Sequence, residues 1–195
     1  MIALGLSHGT TGNLSVRIPG GLLITPSGIA YRTIGPADLV VMDMDGTPAE
    51  GVAAPSSEWR IHRDVYAARP DVGAIVHAHP PHATAIACLR MAIPAVHYLV
   101  GLAGGDSIRC AEYATFGSAG LSANTVSALE GRTACLLANH GIVAVGANLT
   151  AALDLAHEVE RMAELYWLAL AAGRPVMLDP TEMTEVVERL RSYRK

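Results

Sequence analysis

Two apolar runs of this chain end in histidines whose spacing suits a metal. The first run, residues 72–80, carries His77 and His79, and the second, residues 133–141, carries His140. Residues two apart on a strand point to the same face. His77 and His79 can therefore present two imidazoles side by side, and His140 can add a third from another strand. Three imidazoles that leave one position open are the ligand set of a catalytic zinc site, not of a closed structural one. Spacing alone does not prove that they converge, since a lone histidine on a strand is commonly a satisfied structural group. His8, His62, His82, His97 and His157 have no comparable neighbours and read as structural or surface groups.

Other residue groups carry potential chemistry. Pro55-Ser56-Ser57-Glu58 offers hydroxyls and free backbone N–H groups at a helix start, an anion site. Beside a metal, Glu58 could ligate it, act as a general base, or do both in turn. Plain helix capping by serine accounts for the same four residues. The turns Gly9-Thr10-Thr11-Gly12-Asn13 and Thr25-Pro26-Ser27-Gly28 can cradle phosphate on backbone N–H groups without a lysine. Neither matches a P-loop or a dinucleotide fingerprint, and either can be an ordinary turn. Tyr98 follows His97 and gains chemical interest only if its hydroxyl reaches the metal site.

The elements that would position these groups alternate in type. Short strands are expected at residues 21–25 and 39–42, with a hairpin turn at Asp43-Met44-Asp45-Gly46. A helix with a serine N-cap should run from Pro55 to about residue 68, ahead of Pro70. Further helices are expected at residues 81–89, 121–130 with Gly131 as C-cap, and 149–172. The apolar stripe of the last is Leu149, Leu153, Ala156, Val159, Ala163 and Tyr166. Asp179 and Pro180 open a final helix, with Glu182 in its first turn. The pattern argues for a layered α/β domain, and 195 residues suit one domain, residues 1–195.

Bulk properties exclude several classes. The chain is 51% hydrophobic and 16% charged, but its apolar residues lie in short runs, none near the roughly 18 needed to span a membrane. No basic block accompanies the net charge of −4, so nucleic acid and membrane are not expected partners. The N-terminus has no signal-peptide pattern. Cys88, Cys110 and Cys135 are an odd, unpaired set and read as buried, reduced thiols of a cytoplasmic protein.

These pieces occur together and in order in one known family. The segments are Gly9-Thr10-Thr11-Gly12-Asn13-Leu14-Ser15, Leu23-Ile24-Thr25-Pro26-Ser27-Gly28, Pro55-Ser56-Ser57-Glu58-Trp59-Arg60-Ile61-His62 and Val76-His77-Ala78-His79. They continue with Pro94-Ala95-Val96-His97-Tyr98, Ala103-Gly104-Gly105-Asp106-Ser107-Ile108, Tyr113-Ala114-Thr115-Phe116-Gly117, Asn139-His140-Gly141 and Ala156-His157-Glu158-Val159-Glu160. The chain resembles the class II aldolase/adducin family over nearly its whole length. The resemblance implies a three-layer α/β/α fold with a central, mostly antiparallel sheet, and a homotetramer with active sites at subunit boundaries. It implies Zn²⁺ held by His77, His79 and His140, with Glu58 as acid/base and as a further ligand when substrate is absent. Thr10, Asn13, Ser27, Gly28, Ser56 and Ser57 would hold the phosphate of dihydroxyacetone phosphate. Tyr98 would come from a neighbouring subunit, Phe116 would line the pocket on that side, and Tyr193 would lie on a tail that covers the site.

The implied activity is zinc-dependent cleavage of a ketose 1-phosphate, of the L-fuculose 1-phosphate kind, to dihydroxyacetone phosphate and an aldehyde through a zinc-stabilised enediolate. Aldolases of 5-deoxy- or 5-methylthio-pentulose 1-phosphates share the metal and phosphate sites and stay open, whereas a dehydratase acting on methylthioribulose phosphate is less favoured. A pentulose-phosphate 4-epimerase fits less well, because such enzymes usually have Asp at the place of Glu58 and lack the His97-Tyr98 segment. A non-catalytic, adducin-like scaffold would lack the metal histidines. Family members usually carry a helix of about four turns before the Leu4-Gly5-Leu6 segment; that helix is expected to be missing here, or the true start to lie upstream. Ser27 stands where threonine is more usual.

Overall fold

The structure, a computed structural model, describes residues 1–49 and 53–193. Among these, seven strands form one sheet: β1 (Asn13–Ile18), β2 (Gly21–Ile24), β3 (Val40–Asp43), β4 (Ala74–Ala78), β5 (Arg109–Ala111), β6 (Ala134–Leu137) and β7 (Gly141–Gly146). Their order across the sheet is β3-β2-β1-β4-β7-β6-β5. Every neighbouring pair is antiparallel except β5 with β6. The helices are α1 (Trp59–Ala68), α2 (Pro81–Cys88), α3 (Ala119–Ala128), α4 (Leu149–Ala172) and α5 (Pro180–Tyr193).

Strand alternation sends successive side chains into two separate cores. Ile75 of β4, with Cys135, Val143 and Val145, packs against Ile61, Val65 and Tyr66 of α1 and Leu121 of α3. Val76 and Ala78, with Leu136, Ile142 and Ala144, pack against Ile86 of α2 and Leu155, Val159, Met162 and Tyr166 of α4. The result is the expected three-layer α/β/α arrangement. Because helices cover both faces, β4, β6 and most of β7 are buried throughout and read as unbroken apolar runs. His77 shares the parity of Ile75, which turns it towards α1, as geometry demands of two residues spaced by two.

Several local expectations hold. The strands at Gly21 and Val40 are present, and Asp43 Oδ1 accepts from the Asp45 and Thr47 amides to close the turn between them and Gly46. The long helix spans Leu149–Ala172, capped by Asn148. Asp179 caps α5 through the Thr181 and Glu182 amides, and Glu182 returns the bond to the Asp179 amide. Among the described residues no helix is long and apolar enough to cross a membrane.

Others need correction. The first helix begins at Trp59, not Pro55, and Glu58 rather than a serine occupies the cap position, making no side-chain cap bond. Residues 55–57 are instead pulled into a turn paired with the Thr25-Pro26-Ser27 segment. The third helix starts at Ala119, two residues early, because Ser118 accepts from the Leu121 amide. The buried face of α4 begins at Ala152, and Leu149 is exposed. Of the three free cysteines only Cys135 is buried, whereas Cys88 is exposed.

Candidate active site and metal centre

β4 and β7 set the histidines by register. Asn13 pairs with His77 across β1 and β4, and His77 with Val143 across β4 and β7. Leu137 pairs with Gly141, so Ala138, Asn139 and His140 form a tight turn that brings His140 back to the end of β4. Asn139 takes a left-handed conformation there, φ 54°, which Asn tolerates. Two glycines allow the close approach. A Cβ on Gly141 would lie 2.4 Å from the Ala78 carbonyl oxygen and 2.6 Å from the His79 ring. A Cβ on Gly12, whose φ is +75°, would lie 2.6 Å from the His77 carbonyl oxygen.

Glu58 meets the three rings. His77 Nε2 lies 2.9 Å from Glu58 Oε2, and His140 Nε2 lies 3.3 Å from Oε1. His79 Nε2 is 3.0 Å from His77 Nε2. One ligand atom from each of the four residues lies within 4.8 Å of all the others. His77 Nδ1 donates to the Ile142 carbonyl at 2.8 Å, which turns the Nε2 lone pair into the cluster. Glu58 Oε1 is buried with no hydrogen-bond donor aligned on it. Ligands about 2.0–2.1 Å from a tetrahedral zinc are spaced by about 3.3 Å, close to the separations seen here. The donor set therefore fits a divalent cation.

The electrostatics agree. Burial pushes the Glu58 carboxyl up, but His77, His140 and the Asn13 amide outweigh it and hold the group at about 2. Burial opposes charge on His77, yet the adjacent Glu58 and the Ile142 carbonyl raise it above its ordinary value. His79 is depressed to about 3 and His140 to about 4, by burial first and then by the charge of their neighbours. Depressed values keep the His79 and His140 rings neutral, the form that binds metal.

Around the cluster opens a cavity of about 360 Å³. Thr10, Asn13, Ser27 and Gly28 line it with Ser56, Ser57, Glu58, His79 and His140. Three turns meet there. The Ser27 amide donates to the Ala54 carbonyl at 2.9 Å and the Ser56 amide to the Thr25 carbonyl at 3.1 Å, strapping two turns together. Tyr31 donates to the Gly12 carbonyl at 2.7 Å and ties down the third. Among the described residues no lysine or arginine lines the cavity, so an anion there would rely on hydroxyl, amide and backbone N–H donors.

The remaining candidates lie further out. Phe116 lines the cavity mouth and is 67% exposed. Tyr98 does not line this chain's cavity. It stands half exposed at the start of a 3-10 turn, Tyr98–Ala103. Tyr193 ends α5, and its side chain lies outside the described residues. The sequence reading missed Tyr113 and Asn139, which also line the cavity, and the bond from Asn13 Nδ2 to Glu58 Oε2, 3.2 Å. It also passed over His62, buried one helical turn beyond Glu58. The four-residue spacing of Glu58 and His62 was the available signal.

This fold is shared with known proteins. Residues 1–167 match the family model described as class II aldolase and adducin N-terminal domain, and the chain belongs to the class II aldolase and adducin family. It is an enzyme of the aldolase type. A 5-methylthioribulose-1-phosphate/5-deoxyribulose-1-phosphate aldolase of Rhodospirillum rubrum is 53% identical over 97% of this chain and 86% of its own length. An L-fuculose phosphate aldolase of Escherichia coli (strain K12) is 48% identical over 99% of this chain and 90% of its own. A solved L-fuculose 1-phosphate aldolase superposes with a TM-score of 0.94 at 46% identity, covering 97% of this chain and 90% of that one.

Proposed function

We propose that this chain is a zinc-dependent aldolase that cleaves a ketose 1-phosphate of the L-fuculose 1-phosphate kind to dihydroxyacetone phosphate and an aldehyde. The observation that carries the reading is Glu58, set within the three-histidine cluster at one side of a cavity whose other donors are uncharged. His77, His79 and His140 would hold the cation, with Glu58 as a fourth ligand when substrate is absent. When bound, the cation supplies Lewis-acid stabilisation of the negative charge that develops beside the ketose carbonyl.

The chain's own residues do the rest. Thr10, Asn13, Ser27, Gly28, Ser56 and Ser57 grip the phosphate and so fix the distance from the reacting carbons to Glu58. In condensation Glu58, held ionised, takes the proton from the carbon next to the carbonyl of dihydroxyacetone phosphate. In cleavage it returns that proton. The partner subunit's Tyr98, in a homotetramer with sites at subunit boundaries, removes the C4 hydroxyl proton during cleavage and donates to the aldehyde oxygen in reverse. Phe116 lines the aldehyde side, and Tyr193 belongs to the tail that covers it. Three free thiols support a cytoplasmic setting.

A second reading, cleavage of 5-deoxy- or 5-methylthioribulose 1-phosphate, is favoured by the 53% identity to the Rhodospirillum rubrum enzyme. Both readings share the dihydroxyacetone phosphate half and differ only in the aldehyde. The test is release of dihydroxyacetone phosphate from a panel of ketose 1-phosphates after chelation and zinc readdition. Activity should vanish on chelation and return with zinc, and the ketose with the highest kcat/KM identifies the aldehyde. Turnover that survives complete metal removal would overturn the mechanism.

A further inference from the structure

One buried histidine near the site takes no part in the metal cluster. His62 lies on α1, four residues after Glu58, and is fully buried. Its Nε2 is 2.5 Å from Asn13 Oδ1, and its Nδ1 is 2.6 Å from Ser15 Oγ. Ser15 Oγ is in turn 2.8 Å from the Tyr66 hydroxyl. Glu58, His62 and Tyr66 recur at every fourth position, and Asn13 and Ser15 at every second position of β1. One helix face and one strand face thus interlock as a polar ladder through an otherwise apolar core.

The chemistry of the end groups fixes the direction of every bond in that ladder. An ionised carboxylate only accepts, so the Asn13 amide nitrogen faces Glu58 and its carbonyl oxygen faces His62. That oxygen also only accepts, so His62 carries its hydrogen on Nε2. Burial pushes His62 down to about 3, which keeps the ring neutral and leaves Nδ1 an acceptor. Ser15 therefore donates to Nδ1. Tyr66, pushed up to about 12 chiefly by burial, stays protonated and donates to Ser15. An amide does not relay protons readily, so the ladder orients groups and does not conduct.

We propose that His62 is a positioning residue for the reaction: its Nε2–H locks the Asn13 side chain with the NH2 group turned towards Glu58 and the cavity. This rests on the reading of Glu58 as the acid/base. With the lock in place, one Asn13 N–H holds the Glu58 carboxylate and the other is left for a ligand in the cavity. Without it, Asn13 Oδ1 is buried and unpaired, which destabilises its present placement, and the amide turns or shifts away from Glu58.

The test uses the zinc-loaded enzyme and the variants His62→Leu, His62→Gln and His62→Asn. Glutamine carries an amide nitrogen to about the place of Nε2, whereas asparagine ends near Nδ1 and cannot reach Asn13. At full metal occupancy, kcat should fall about 10- to 100-fold in His62→Leu and His62→Asn, the cost of a misplaced group near the chemistry. His62→Gln should recover most of that loss. Asn13→Ala added to His62→Leu should cost little more than either change alone, since coupled residues are not additive. If His62→Leu does not fold, the Gln and Asn pair decides.

Equal kcat in the Gln and Asn variants, or fully additive losses with Asn13→Ala, would overturn the positioning role. Glu58→Gln is measured alongside. If it turns over at the wild-type rate, the acid/base reading fails and the proposal with it. If Glu58→Gln is inactive while His62→Leu is unimpaired, only the positioning role is lost.

Discussion

The floor and the rim of the cavity are built in opposite ways. On the floor, His77 and Asn13 are almost wholly buried, and each is held by a strand register and a specific hydrogen bond. Glu58 is pinned between two histidines and an amide. At the rim, Tyr113 and Phe116 are 54% and 67% exposed, and Tyr98 stands apart from the cavity altogether. The floor is complete within one chain. The rim has unsatisfied aromatic surface that a second molecule or a substrate would cover. The contrast suits an enzyme whose chemistry is common to several substrates and whose selectivity is set by what closes over the top.

The comparison can be broken first at the floor. Glu58→Gln should retain most of its zinc but lose about 10²- to 10⁴-fold in kcat, the usual worth of a general acid–base group. Steady-state rates beside metal analysis check this, and near-normal turnover would remove Glu58 from its role. Gly141→Ala must displace the Ala78 carbonyl or the His79 ring. A loss of about 1–3 kcal/mol in stability, as for other overpacked sites, and weaker zinc binding should follow in denaturant titration and metal competition.

Acid should undo the floor of the metal-free protein before the rim matters. His62, His79 and His140 have folded values of about 3, 3 and 4 against an ordinary 6.5. Below pH 6.5 the unfolded chain therefore binds protons that the folded chain refuses, and stability falls as pH is lowered towards 4. Glu58, at about 2 against 4.5, acts in the same sense. Its contribution is present above pH 4.5 and is lost as pH falls towards 2. Only His77, whose value is raised, opposes the trend. The thermal midpoint of metal-free protein, followed from pH 7 to pH 4, should drop steadily. A flat profile would mean that the rings are not buried as described.

The rim is probed by smaller effects. Tyr98→Phe should slow cleavage of the ketose 1-phosphate about 10- to 100-fold while leaving proton exchange on dihydroxyacetone phosphate nearly intact. Equal losses in both would argue against its role as acid. Ser27→Ala should raise KM and weaken competitive inhibition by inorganic phosphate, by roughly the 1 kcal/mol of one hydrogen bond, with kcat unchanged.

Much of the fold was legible because local chemistry and burial pattern agreed. Asn148 and Gly173 bracket α4 at the expected residues, and Asp179 opens α5. The apolar runs that end in the histidines are β4 and β6, strands that the structure covers on both faces. Where the reading slipped, a non-local bond had overruled a local preference. Ser56 looked like a helix cap, yet its amide is drawn to the Thr25 carbonyl, 31 positions upstream in sequence. His62 looked incidental because its partners, Asn13 and Ser15, lie on a strand far upstream.

By itself, the sequence determined the metal-binding residue types, the two-residue spacing that puts His77 and His79 on one face, and the run of motifs that marks the family. Those depend on local periodicity and on order along the chain. Only the tertiary structure decided that Glu58 enters the histidine cluster, that three separate turns share one cavity, and that a buried ladder stands behind Asn13. Each of these requires segments far apart in sequence to meet, and what brings them together is the register of β1, β4 and β7 and the packing of α1 across them.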